Sequence, residues 1–229
     1  MAFNSVKRAD DLVPLRHILA STYDKAGLPD FVLGIARVSA AAGLGVRFYS
    51  TGGTYDELAK VFAGIKGPEL VKVSDYTGQP EMKGGLVKTL DWKIYLGLLA
   101  ETGDAAHEAD LGRAGAVKFD MVIANLYPFA EVSADPNAAP EELRQRIDIG
   151  GPCMIRAAAK NYLRVASVSS PVQYAGLLAE LQSTGGKTRL ETRRRLAAEA
   201  FALTSRFDAA VSARLSGLPA AAVAAAYGV

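Results

Sequence analysis

Between Ile147 and Asn161 the chain reads Ile147-Asp148-Ile149-Gly150-Gly151-Pro152 and then Arg156-Ala157-Ala158-Ala159-Lys160-Asn161, so a carboxylate, two glycines and a lysine fall within thirteen residues. Glycines let backbone amides approach a ligand closely, and the run after them can form a helix whose N-terminus favours anionic or oxyanionic groups. Gly-Gly-Pro is equally a turn signal and Ala-Ala-Ala-Lys ordinary helix composition, so the rest of the chain has to decide between the readings.

Four further segments carry candidate chemistry. Ser50-Thr51-Gly52-Gly53-Thr54 ends a strand-like run and opens a helical one, offering hydroxyls, free amides and a helix N-terminus suited to phosphate; a plain turn with a threonine N-cap reads the same way. Asp24-Lys25-Ala26-Gly27 follows an earlier strand-like run. If both turns open at one sheet edge, Lys25 adds a charge-assisted contact there; otherwise it is a surface lysine. Lys88, in Leu86-Val87-Lys88-Thr89-Leu90, sits between apolar neighbours, where a lysine loses some preference for its charged form and becomes useful in proton transfer; a solvated lysine is the alternative. Asn125-Leu126-Tyr127-Pro128-Phe129 offers an amide and a phenol at a strand end, although Tyr-Pro is also a common exit from a strand. His17 and His107 have no partner at catalytic or metal spacing.

Short β-like runs alternating with longer helical patterns predict parallel strands joined by crossover helices, an α/β fold with a three-layer, mostly parallel open sheet and C-terminal helices. The strands are expected near His17–Thr22, Val46–Ser50, Leu70–Ser74, Met121–Leu126 and Val165–Ser169. Helices are expected over Leu28–Ala42, Thr54–Phe62, Trp92–Ala100, Pro140–Ile147, Tyr174–Gln182 and Thr188–Ala202, where Thr188 and Glu191 have capping-box spacing and Arg193, Arg194 and Arg195 read as a solvated face. Asp75–Leu86, with Gly78, Pro80, Gly84 and Gly85, and Glu131–Pro140 are expected to be irregular, and the first has the position of a ligand-binding loop after a strand. The organisation expected is an extension over 1–14, a domain over 15–212 and an alanine-rich tail over 213–229.

Half of the 229 residues are hydrophobic, enough for a sizeable core. A net charge of +2, from 26 Lys and Arg against 24 Asp and Glu, argues against a nucleic-acid or acidic-membrane partner. Cys153 is the sole cysteine, so no internal disulfide can form, and a metal site is not expected; a reducing cytoplasm fits this usage. The N-terminus lacks the apolar stretch of a signal peptide, and Leu218–Val229 is too short and alanine-rich to span a bilayer.

With these segments in order, the sequence resembles the inosine monophosphate cyclohydrolase domain, the N-terminal half of the bifunctional purine-biosynthesis enzyme that also carries a transformylase. The matching words are Asp24-Lys25 with Gly27-Leu28, Thr51-Gly52-Gly53-Thr54, Val73-Ser74-Asp75-Tyr76-Thr77-Gly78 with Pro80-Glu81-Met82, Val87-Lys88-Thr89-Leu90, Asn125 to Phe129, Ile147 to Gly151, Arg156 to Asn161 and Leu190-Glu191-Thr192-Arg193-Arg194. The resemblance implies a methylglyoxal-synthase-like fold and the dehydrative closure of 5-formamidoimidazole-4-carboxamide ribonucleotide to inosine monophosphate, with no cofactor and no metal. It implies Lys160 as the proton-transferring or oxyanion-stabilising group and Asp148 as the residue that orients the carboxamide. Lys88 and Tyr127 would hold or polarise the reacting atoms. Lys25, Thr51, Gly52, Gly53, Thr54 and Thr89 would bind phosphate and ribose, and Asn125, Ile149 and Gly150 the base, with Tyr23, Asp24, Val87 and Gly151 as further substrate-binding candidates. A homodimer is compatible with it, and a separate formylating enzyme is expected to supply the substrate.

The departures from the family are Leu86 in place of an arginine, Asp91, Trp92 and Tyr95 where histidines and a proline are usual, and Tyr23 in place of a serine. They are expected to crowd the ligand end of the sheet. They motivate a second reading, a nucleotide-binding or regulatory module of the same fold without turnover. Methylglyoxal synthase itself would want a placed histidine, for which neither His17 nor His107 is suited.

Overall fold

The computed structural model describes residues 6, 8–80 and 87–229. Residues 1–5, 7 and 81–86 lie outside the described residues, and with them part of the N-terminal reading and Glu81, Met82, Gly84, Gly85 and Leu86 of the expected loop and motifs. The strands are β1 (Leu12–Pro14), β2 (His17–Ser21), β3 (Arg47–Ser50), β4 (Glu69–Lys72), β5 (Met121–Ala124), β6 (Ala166–Val168) and β7 (Lys187–Arg189). The helices are α1 (Leu28–Ala41), α2 (Gly52–Val61), α3 (Val73–Thr77), α4 (Trp92–Leu99), α5 (Ala105–Ala114), α6 (Phe129–Ser133), α7 (Pro140–Gln145), α8 (Gly150–Lys160), α9 (Tyr174–Thr184), α10 (Leu190–Ser216) and α11 (Ala220–Tyr227).

Five parallel strands form one sheet in the order β4-β3-β2-β5-β6. Side chains of a strand alternate between faces, and each face here is apolar. Ile18, Ala20, Phe48, Met121 and Ile123 join one core cluster with Phe31, Val32 and Ile35 of α1 and Leu177 and Leu181 of α9. Leu19, Tyr49, Val122 and Ala124 join the other, with Ile94 and Leu98 of α4 and Met154, Ile155 and Ala158 of α8. The result is the expected three-layer α/β architecture. α10 contributes Leu196 to the first cluster and Ala197 and Ala200 to the second, and it packs on β6, covering a sheet edge that would otherwise offer unpaired backbone groups.

Local chemistry explains the boundaries. α1 follows Gly27, whose φ of +67° suits glycine, and has a proline in its first turn; its buried residues Leu28, Phe31, Val32, Ile35, Ala36 and Ser39 keep a helical spacing. α5, absent from the sequence reading, is capped by Asp104, whose carboxylate accepts the amides of Ala106 at 2.9 Å and His107 at 3.1 Å, and it ends at Gly115 with φ +56°. The strand expected to reach Ser74 ends at Lys72 because α3 begins at Val73, and α6 occupies the start of the expected irregular stretch 131–140.

The C-terminal half departs further from expectation. Thr188 does not cap a helix: it lies in β7, fully buried and antiparallel to β1, with its hydroxyl donating to the Val13 carbonyl at 3.5 Å. Residues 12–14 are thereby part of the folded body, and the capping box with Glu191 does not form. Arg193 is not on a solvated face either. Its side chain is fully buried while Arg194 and Arg195 are exposed, because position 193 shares the inward stripe of Leu196, Ala197 and Ala200. The tail is helical through α11 and tied back by the Tyr227 hydroxyl, which donates to Glu141 of α7 at 2.6 Å. Among the described residues no single helix is long and apolar enough to cross a membrane.

Candidate active site

From β2 the chain runs outward through β3 to β4, then returns to place β5 on the other side of β2. The C-terminal ends of β2 and β5 therefore form a switch point, where open parallel sheets hold ligands. A cavity of about 410 Å³ lies there, a volume suited to a small molecule. Tyr23, Lys25, Thr51, Lys88, Thr89, Asn125, Tyr127, Asp148, Ile149, Gly150 and Gly151 line it, joined by Ser21, Thr22, Gln145, Ile147 and Met154, which sequence reasoning missed. Ser21 and Thr22 could have been found as the outward end of β2. Three larger cavities are present among the described residues, one of them adjoining this one at Tyr23, Asn125 and Tyr127, but this one gathers two lysines, a carboxylate, two phenols and two helix N-termini.

The first helix N-terminus is that of α2. Thr51 precedes it without a side-chain cap, its hydroxyl lying instead 3.2 Å from that of Ser21. The first amides of α2 thus keep the capacity for an anion that helix N-termini carry. Gly52 has φ +47°, and a Cβ there would stand 2.7 Å from Lys88 Nζ, so the lysine ammonium rests against the glycine backbone. A cation beside a positive helix end is unfavourable alone and favourable with an anion between them.

The second is that of α8. Asp148 accepts the Gly151 amide at 2.9 Å and also a backbone bond from Tyr127, tying the β5 exit to the helix start. Burial nonetheless raises the Asp148 carboxyl above its ordinary range, because the two amide bonds oppose desolvation only in part. Thr89 is buried, and its hydroxyl stands 3.1 Å from where a Gly150 Cβ would be. At Gly151 a Cβ would meet Asp148 Oδ2 at 2.5 Å and Leu126 at 2.9 Å. Gly151→Ala is accordingly expected to push the carboxylate out of place and cut turnover at least tenfold, consistent with the sensitivity of catalysis to ångström displacements. A crystal structure of the variant with Asp148 unmoved, or unchanged turnover, would contradict this.

Several residues expected along the ligand also make structural hydrogen bonds within the chain. Asn125 Oδ1 accepts the amides of Tyr23 at 2.7 Å and Asp24 at 3.0 Å, and its Nδ2 donates to the Asp24 carbonyl at 2.7 Å, so its acceptor is committed to shaping the loop after β2. Asp24 turns back to accept the Ala26 amide at 2.8 Å and does not line the cavity. The Thr54 hydroxyl is buried, donating to the Thr22 carbonyl at 3.1 Å and accepting its amide at 3.0 Å, which clamps α2 to the end of β2. Gly53 and Val87 also lie off the lining, Val87 being largely exposed.

Lys160 is the largest departure. It ends α8, about 15 Å along the axis from the Gly150 end, and lines a separate cavity with Tyr95, Arg156, Arg194 and Phe201. Within one chain the structure does not bring it to Asp148, Lys88 and Tyr127. The departures Asp91, Trp92 and Tyr95 also fail to crowd the ligand end: Asp91 caps α4 by accepting the Lys93 amide at 2.8 Å, Trp92 is exposed, and none of the three lines the cavity. His107 does acquire partners, since the turn before α5 brings Glu101 and Asp104 to it, far from β2 in sequence and outside the cavity lining.

The MGS-like domain matches residues 34–153 of the 229. The chain belongs to the MGS-like domain family. Residues 158–227 of the chain match the AICARFT/IMPCHase bienzyme family. The bifunctional purine biosynthesis protein PurH of Rhodopirellula baltica is 44% identical over 207 residues, covering 90% of this chain and 37% of that protein. PurH of Synechococcus sp. (strain CC9605) is 42% identical over 193 residues, covering 84% of this chain and 35% of that protein. The chain thus spans a little over a third of the length of these relatives. The crystal structure of ForH superposes with a TM-score of 0.71 at 32% identity, covering 89% of this chain and 100% of that one.

Proposed function

We propose that this chain is an inosine monophosphate cyclohydrolase, closing the second ring of a purine nucleotide by dehydration of 5-formamidoimidazole-4-carboxamide ribonucleotide, in the cytoplasm and without cofactor or metal. The observation that carries the reading is the convergence of Asp148, Lys88 and Tyr127 with the N-termini of α2 and α8 in one switch-point cavity, in a chain similar to PurH proteins. In this reaction the carboxamide nitrogen attacks the formyl carbon, forming the ring C–N bond. The nitrogen gives up one of its two protons, and the formyl oxygen becomes an oxyanion that is protonated; the formamido nitrogen then loses its proton as the ring C=N bond forms and the C–O bond breaks, releasing water. Asp148 suits the carboxamide, as acceptor of its N–H. Lys88, Tyr127 and the amides of Gly150 and Gly151 suit the developing oxyanion, where donors are worth most. The α2 terminus with Lys25 suits the phosphate. Holding both arms of one molecule together supplies further acceleration, since effective molarities of about 10⁵ M or more are reached in such closures.

Addition of synthetic formylated substrate to the purified chain should raise purine absorbance well above the spontaneous rate; folded protein giving only that rate would sink the reading. Tight binding of inosine monophosphate without turnover would favour the regulatory module instead.

Lys160 enters this reading from a second copy. The family resemblance gives it the proton transfer, the length of α8 keeps it from its own cavity, and the mouth of that cavity exposes Tyr23, Tyr127 and Ile149, an apolar rim suited to burial against another chain. Asp148→Asn and Lys160→Ala chains, each inactive alone, should recover roughly a quarter of wild-type turnover when mixed equally, because half the dimers are mixed and one of their two sites is intact. Wild-type turnover of Lys160→Ala alone would remove Lys160 from the mechanism.

A further inference from the structure

The notable arrangement at the rim of the cavity is Tyr23, which holds two cations at once. Its carbonyl accepts Lys25 Nζ at 3.3 Å, and its hydroxyl accepts Arg146 Nη1 at 3.4 Å. Its ring is fixed edge-on against Tyr127, with centroids 5.2 Å apart and an interplanar angle of 84°. Arg146 stands at the end of α7, immediately before the Ile147-Asp148 stretch that enters the cavity. The neighbouring Arg144 of α7, by contrast, is neutralised by Glu141. Arg146 has no carboxylate within ion-pair distance among the described residues, and its guanidinium donates to the Tyr23 hydroxyl.

A partly buried guanidinium aimed by a phenol and unneutralised by protein carboxylates keeps its donors for an anion, and its planar fork matches two phosphate oxygens. Lys25 on the same tyrosine and Lys88 against Gly52 extend the positive lining toward the α2 terminus. From this arrangement we propose that Arg146, positioned by Tyr23, is a substrate-binding residue that recognises the phosphate of a nucleoside monophosphate. The inference rests on the nucleotide reading above and adds a residue outside the matched motif positions. It also gives Tyr23 a function as an anchor of charge at the rim rather than as a steric intrusion there.

Calorimetric titration of the full chain with inosine monophosphate and with inosine separates the possibilities. Arg146→Gln should weaken monophosphate binding about tenfold or more and leave inosine binding unchanged, the loss of one charge-assisted contact. Tyr23→Phe, which retains the ring against Tyr127 but removes the hydroxyl, should give a smaller loss confined to the monophosphate. Both sites are partly exposed and Arg146 makes no ion pair among the described residues, so thermal unfolding should be unchanged and serves as the control. Equal monophosphate affinity in Arg146→Gln and wild type overturns this inference alone. A wild-type chain that binds inosine and its monophosphate equally, or neither, overturns the nucleotide reading together with it.

Discussion

Asp148→Asn is expected to lower kcat by about a hundredfold or more while leaving the protein at least as stable as wild type, in keeping with the usual contribution of a positioned acid or base. The two halves of this result have one cause. Burial raises the Asp148 carboxyl above the ordinary carboxylate range of about 4, so the fold favours its protonated form. A raised folded-state pKa contributes stability that is present below the unfolded value and lost as pH rises through the folded one, so at neutral pH the ionised carboxylate is a net strain on the fold. Asparagine removes that charge and retains an oxygen for the Gly151 amide, which is the bond that holds α8 to the preceding loop. In the proposed ring closure, by contrast, turnover would need the ionised form to accept from the carboxamide. The wild-type rate should therefore fall with decreasing pH through a midpoint above the usual carboxylate range, and the variant should lack that limb. Turnover as a function of pH together with urea midpoints at neutral pH tests both halves. A variant of wild-type rate would remove Asp148 from the chemistry, and strong destabilisation would show that its charge serves the fold.

Arg193→Met is expected to cost about 3–5 kcal/mol of stability, a large part of the ~5–15 kcal/mol of a typical fold. The guanidinium has five N–H donors, and five carbonyls receive them. Nε donates to Tyr162 at 3.1 Å, Nη1 to Asp11 at 3.1 Å and Thr188 at 2.5 Å, and Nη2 to Asp10 at 2.6 Å and Leu163 at 3.1 Å. One side chain thereby joins the segment before β1, the α8–β6 connection and the end of β7. Burial pulls Arg193 down to about 10, still well above neutrality, so it remains a cation in the fold. Methionine fills similar space but leaves the carbonyls without their donors, and lysine lacks the fork geometry to replace them. Urea unfolding of Arg193→Met beside Arg194→Met, whose side chain is exposed and should change stability by no more than about 0.5 kcal/mol, measures the difference. A shift below about 1 kcal/mol for Arg193→Met would show that water replaces the guanidinium.

How much of this could be read from the residues follows from the range of each interaction. The five parallel strands announce themselves because short alternating or apolar runs end in glycine or hydroxyl turns, and α1 because its buried positions keep a helical period. Most of the cavity lining was legible for the same reason, since loops after parallel strands open at one edge. β1 and β7 were not, because strands of three residues carry no period of their own and exist through each other. The arginine triplet misled by composition, whereas registering it on the stripe of Leu196, Ala197 and Ala200 would have set Arg193 apart. Lys160 stands only twelve positions from Asp148, but α8 separates the two within one chain, which a motif read along the sequence does not disclose. Asn125 and Thr54 were identified as polar groups near the site, but their commitment to backbone partners depends on a loop geometry that residue types do not disclose.

The pairing of β1 with β7 also sets a schedule for the growing chain. β1 is complete once Pro14 is made, yet its partner begins only at Lys187 and the arginine that grips the preceding segment comes at position 193. At about 5–20 residues per second a ribosome needs roughly 9–35 s to cover that interval. For that time β1 has no partner strand available, while β2, β3 and β4, close together in sequence, can already assemble. Closing so long a loop is entropically slow, so β1, made before the whole parallel sheet, is among the last elements to be locked.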